Sequence, residues 1–208
     1  MWRNYMTVRR GCYALLLLAS FISVALYLQV ALGRIAYPYQ IEWIEGGIFQ
    51  QVIRIIQGQS LYGLPSMEFA PALYTPLFHY LSALVASIVG HSLFALRLVS
   101  FVASLMTGMA LVYAVKRYSG SWSCGLIAVG FYFSTYRYTG FWFDVGRVDG
   151  LWVMWLAWSV AVLIPFSERY SANKLMLSAI FFSLALFTKQ ASLFVLPFFC
   201  WLFIAGIH

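Results

Sequence analysis

The chain has 208 residues, of which 63% are hydrophobic and only 9% charged, and its mean hydropathy is +0.84. A water-soluble domain carries about a quarter charged residues, so the composition excludes one and predicts an all-α, polytopic transmembrane bundle with the lipid bilayer as partner. The formal charge of +7 comes from thirteen Lys and Arg spread along the chain in ones and twos, which leaves no basic stripe for a nucleic-acid partner.

From the amino terminus, Arg3, Arg9 and Arg10 mark a cytoplasmic end. The uncharged residues 11–33 exceed a signal-peptide core and no convincing cleavage site follows them, so they predict a retained first span running outward. Next, Gly46-Gly47 and Gly58 bracket residues 48–57. There Ile48, Phe49, Val52, Ile53 and Ile56 recur at helical spacing, with Gln50, Gln51, Arg54 and Gln57 on the other side, as in an interfacial amphipathic helix.

Charge-free runs follow at residues 69–96, 98–115, 118–136, 150–167, 175–188 and 190–208. If all of them cross, the total is seven spans, which puts Lys116, Arg117 and residues 167–174 outside and Asp144, Arg147 and Asp149 inside. If residues 77–89 instead lie in an outer loop, six runs cross. The cytoplasmic side then holds Arg3, Arg9, Arg10, Lys116, Arg117, Arg169 and Lys174 with Glu168, against six basic and five acidic residues outside. This arrangement of six to seven apolar helices obeys the positive-inside rule better with six crossings. It gives a first outer loop at about residues 34–96, holding juxtamembrane helices, and a second at about 137–149. Cys12, Cys124 and Cys200 each sit in an apolar run and offer neither a disulfide framework nor a metal spacing.

The polar residues form an ordered series: Glu42-Trp43-Ile44-Glu45-Gly46-Gly47 after the first span, Tyr74-Thr75-Pro76-Leu77, Arg97 at the start of a span, Gly146-Arg147-Val148-Asp149-Gly150-Leu151, and Thr188-Lys189-Gln190. In this order and spacing the chain resembles the GT-C superfamily of glycosyltransferases, in its protein mannosyltransferase and aminoarabinose transferase-like branch. Ile44 departs from the family's frequent Asp-Glu pair, and the His-Pro-Pro of protein mannosyltransferases is absent, so their protein acceptor is not implied. Related enzymes continue with more spans and often an outer soluble domain. The resemblance is therefore to the amino-terminal, catalytic half only, with 1–208 as a partial GT-C-like transmembrane domain.

The resemblance implies transfer of a sugar from a polyprenyl-phosphate donor to an acceptor on the outer face of a bacterial plasma membrane, with other membrane subunits or missing residues supplying what the chain lacks. That chemistry needs a base for the acceptor proton and cations for the departing phosphate. Glu45 is the expected base, Glu42 its substitute, and Asp149 orients the acceptor or a cation. Lys189, Arg97 and Arg147 are expected to face the phosphate, near Tyr74. Three acids on one side allow a divalent metal, although no His/Cys cluster supports one.

Each residue also has a plainer explanation. Glu45 suits a helix start, Asp149 an N-cap, and Arg147 with Asp144 a boundary ion pair. Trp152, Trp155 and Trp158 recur every third residue, as packing or an interfacial belt would require. Lys189 resists such an account, because fourteen uncharged residues separate it from Lys174, too few to cross about 30 Å of hydrocarbon. Two other function classes are a noncatalytic GT-C-derived subunit of a larger complex and a transporter. The transporter ranks last because few charged or helix-breaking residues fall in mid-span.

Overall fold

The computed structural model describes residues 2–67, 69–164 and 170–205. The expected cytoplasmic positions of Glu168 and Arg169 lie outside these. Among the described residues eight α-helices follow in order: α1 (Trp2–Arg34), α2 (Trp43–Ile56), α3 (Leu77–Val89), α4 (Leu93–Ser119), α5 (Trp122–Ser134), α6 (Val148–Ala161), α7 (Ala172–Thr188) and, after a 3₁₀ turn at Gln190–Val195, α8 (Leu196–Ala205). Among the described residues the only β pairing is a single bridge between Ser66 and Phe69, so the class is all-α.

By length and composition Arg10–Arg34 and Leu93–Ser119 can each cross a membrane, while the remaining apolar helices are shorter. Helices α1, α5, α4, α6 and α7 pack side by side in that spatial order, with α2 and α3 set against α4. Small residues make the close contacts. On α4 the buried row Ser100, Ala103, Ser104, Thr107 and Ala110 lets its neighbours approach. Gly130 of α5 lies so close to Ser20 of α1 that a Cβ at position 130 would overlap the serine. Between α6 and α7, Ser159 and Ser178 each donate a hydrogen bond to the other's carbonyl at 2.8 Å, satisfying both hydroxyls inside an apolar interface.

The helix ends assemble one polar face. Arg34 closes α1 and its carbonyl accepts from Arg97, near the start of α4, at 3.2 Å. Asp149 in the first turn of α6 meets Lys189 at the end of α7. At the opposite end, Lys116 near the end of α4 lies 4.0 Å from the ring centre of Trp122, which opens α5. The chain between Arg34 and Arg97 therefore returns to the face it left. Thr75, just before α3, donates to the Leu186 carbonyl of α7 at 2.9 Å, and α3 ends directly before α4. Its thirteen residues span about 20 Å, and its face of Phe78, His79, Ala83 and Ala86 is buried.

Two local expectations are corrected. The amphipathic helix begins at Trp43, ahead of the Gly46-Gly47 pair, because Glu42 in extended conformation caps it by accepting from the Ile44 N–H at 2.9 Å. Asp149 is not an N-cap: Arg147 holds that position and Asp149 lies within the first turn of α6.

Candidate active site

Three ionic clusters occupy the polar face. In the first, Glu45 and Arg97 are both completely buried. The Arg97 guanidinium donates to both carboxylate oxygens, at 2.9 and 2.8 Å. It also donates to the carbonyls of Tyr37 at 2.6 Å and Tyr39 at 2.7 Å. Glu45 in turn accepts from the backbone N–H of Ile41 at 2.8 Å and of Gly146 at 2.7 Å. Burial alone would raise the Glu45 pKa, but the bonds from Arg97, Gly146 and Ile41 outweigh it and hold the carboxyl below its usual range. A Cβ at Gly146 would press within 2.8 Å of Leu96, so the bare backbone is what allows this N–H to reach Glu45.

In the second cluster Arg34 grips Asp144 with two bonds of 2.6 Å, and the Tyr136 hydroxyl donates to the same carboxylate at 2.7 Å. The expected Arg147–Asp144 pair does not form, because Arg34 reaches Asp144 from the end of α1.

The third cluster is the accessible one. Arg147 bridges Glu42 at 2.8 Å and Asp149 at 2.9 Å, and the Lys189 ammonium donates to the other Asp149 oxygen at 2.6 Å. The cluster's carboxylates as well as its cations keep some exposure, 8–20% of each side chain, whereas Glu45 and Asp144 are closed off. Lys189 also lies 5.1 Å from the Trp152 ring centre and 5.5 Å from that of Tyr74. These rings confine the ammonium without occupying its remaining N–H groups. Beside Tyr74, residues including Trp43, Ile44, Ile48 and Leu73 line an apolar cavity of about 320 Å³.

Of the seven residues singled out from sequence, Glu42, Arg147, Asp149, Lys189 and Tyr74 thus converge around one opening. Glu45 and Arg97 sit next to it but beneath the surface. Their geometry suits neither a base nor a phosphate clamp, since each polar atom is committed to protein partners. Among the described residues no group of three His, Cys, Asp or Glu gathers as a metal site.

The family model described as dolichyl-phosphate-mannose-protein mannosyltransferase matches residues 72–208. The chain belongs to this mannosyltransferase family. It is a GT-C glycosyltransferase by family, and the family implies a lipid-linked sugar donor in a membrane. No curated protein and no solved structure matches it. Within the mannosyltransferase match fall Tyr74, Arg97, Arg147, Asp149 and Lys189, whereas Glu42 and Glu45 precede it.

Sequence reasoning missed three contributors. Trp142 stacks its ring 4.0 Å from the Arg147 guanidinium, and only the tertiary fold brings the second loop over that arginine. Arg34 had the signal of a lone charge ending a span, but its partner is 110 residues away. His79 is buried on α3 with Nε2 2.9 Å from Gln51 Oε1 on α2. Burial pushes its imidazole down to about 4, so it is neutral at pH 7 and donates to the amide, tying α2 and α3 together.

Proposed function

We propose that this mannosyltransferase-family chain transfers a sugar from a polyprenyl-phosphate donor at the Glu42–Arg147–Asp149–Lys189 opening. The supporting observation is Lys189, a partly exposed ammonium with N–H groups to spare, beside an apolar slot suited to the first isoprene units. Lys189 receives the donor phosphate and, with Arg147, stabilises the charge on the departing oxygen. Asp149 is shared between two cations and orients the acceptor. Glu42 engages one cation and one amide, fewer partners than Glu45, and is the base. Glu45 and Arg97 are positioning residues for the opening.

In this proposal residues 1–208 form one GT-C-like domain with six crossings. The first outer loop, about 34–96, lies on the outer face, α3 lies along the membrane, and the amino terminus is cytoplasmic, as the charge balance favours. The plasma membrane of a bacterium is the setting. Exposed aromatics on α8 and the preceding turn, such as Phe194 at 89% and Trp201 at 64%, offer surface for further membrane subunits that complete the substrate groove. A noncatalytic role in such a complex is the second reading. It is favoured by the pairing of Glu42, Glu45, Asp144 and Asp149 with cationic side chains.

The deciding experiment measures binding of a short-chain polyprenyl-phosphate sugar to the chain in nanodiscs, and transfer in membranes that contain its natural partners. Binding that requires Lys189 together with transfer that requires Glu42 supports the enzyme. Transfer unaffected by Glu42→Gln and Asp149→Asn together supports the noncatalytic role.

A further inference from the structure

On the far flank of α2 from the apolar slot lies a larger cavity of about 830 Å³. Its lining includes Tyr37, Tyr39, Phe94, Gln40, Gln50 and His91, and no lining residue carries a carboxylate, ammonium or guanidinium. The chemistry is unlike that of the Lys189 opening. Phenol and phenyl rings offer faces for C–H groups. Carboxamides and a hydroxyl offer both donors and acceptors. A phosphate or a uronic acid would find no guanidinium or ammonium here, only the single imidazole of His91, and would lose hydration with little compensation.

The wall of this cavity is built rather than accidental. Residues 37–41 have no regular hydrogen-bonded structure, yet they are pinned from behind. Arg97 holds the carbonyls of Tyr37 and Tyr39, and Glu45 holds the N–H of Ile41. The Tyr37 and Tyr39 rings meet edge to face at 5.7 Å. At the floor, Gly47 faces open space where a side chain would otherwise stand. The buried pair thus supports two surfaces at once, the charged opening through Gly146 and this neutral cavity through residues 37–41.

We infer that the cavity binds an uncharged carbohydrate at a site separate from the Lys189 opening. An uncharged pyranose has the two properties the lining selects, an apolar ring face and a rim of hydroxyls. A volume of this size holds a mono- or disaccharide.

The test is saturation-transfer NMR on the chain in nanodiscs, using an uncharged methyl hexopyranoside, an uncharged disaccharide and a hexuronic acid. The uncharged sugars are expected to bind and the uronic acid not. Tyr39→Ala and Gln50→Ala should each weaken binding about tenfold, as loss of a ring face or a hydrogen-bonding amide would. Tyr39→Phe should keep most of it. Because Tyr39 and Gln50 are exposed, these variants leave the fold intact. Lys189→Ala is expected to leave sugar binding unchanged. Equal binding of the uronic acid, or insensitivity to both alanine variants, overturns the inference. If sugar binding behaves as expected but Lys189→Ala leaves polyprenyl-phosphate binding unaltered, the neutral site stands and the donor-site reading falls.

Discussion

Glu45 and Arg97 stand 52 positions apart in sequence and meet through two hydrogen bonds with neither side chain exposed to solvent. Breaking such a pair by removing one partner strands a buried charge, which costs about 3–5 kcal/mol. Arg97→Ala should therefore lower the thermal unfolding temperature of the detergent-solubilised chain sharply. It should also weaken sugar binding at the proposed cavity, because the Tyr37 and Tyr39 carbonyls lose their donor. An Arg97→Ala protein as stable as wild type would remove this pair from its structural role.

The same pair sets a pH dependence. The Glu45 pKa is lower in the folded chain than the ordinary 4.5, so the unfolded state binds its proton first as pH falls. The contribution is complete above about 4.5 and is lost as pH drops toward the folded value. Melting curves should be flat from neutral pH down to that point and then decline. Glu45→Gln should start less stable and lack this part of the acid-induced decline.

How much of this was legible beforehand depends on the range over which each feature is decided. Helical class and the apolar runs are properties of consecutive residues, and they follow from composition and periodicity alone. Glu42, Arg147, Asp149 and Lys189 stood out because charges are scarce in this chain. Their pairing did not, since Arg147 chooses Glu42 and Asp149 over Asp144 only after α1 has delivered Arg34 to Asp144. Glu45 illustrates the same limit: an acid near a helix start reads alike whether it faces solvent or lies beneath Gly146. The early start of α2 was hidden by two glycines that sequence treats as a break, where the Glu42 cap overrides them.

Lys189→Ala should weaken polyprenyl-phosphate binding by about ten- to a hundredfold, the size expected for a lost charge-assisted hydrogen bond. Isothermal titration in nanodiscs measures it. Lys189→Arg should restore part of the affinity.

At the α1–α5 contact, Gly130→Val forces the helices apart at Ser20. Overpacking of this kind costs about 1–3 kcal/mol, so the variant should melt earlier than wild type. Gly130→Ala should already show much of the loss, because the added Cβ would also lie 2.3 Å from the Ser20 Cα.

Topology is open to single-cysteine labelling after Cys12, Cys124 and Cys200 are replaced by serine. An impermeant maleimide applied to intact cells should label a cysteine at position 60 and not one at 118. The reverse pattern would invert the arrangement.

The reciprocal bonds between Ser159 and Ser178 also act as a ruler. Asp149 lies ten residues from Ser159 along α6, and Lys189 eleven from Ser178 along the antiparallel α7. At 1.5 Å per residue these are about 15 and 16.5 Å, nearly equal heights above the serine contact. A slip of α7 by one turn, about 5.4 Å, would carry Lys189 out of reach of Asp149 and at the same time leave both hydroxyls unpaired in an apolar interface. The depth of the Lys189–Asp149 pair, where the proposed donor phosphate would sit, is therefore fixed from the middle of the bundle by two small side chains that never touch it.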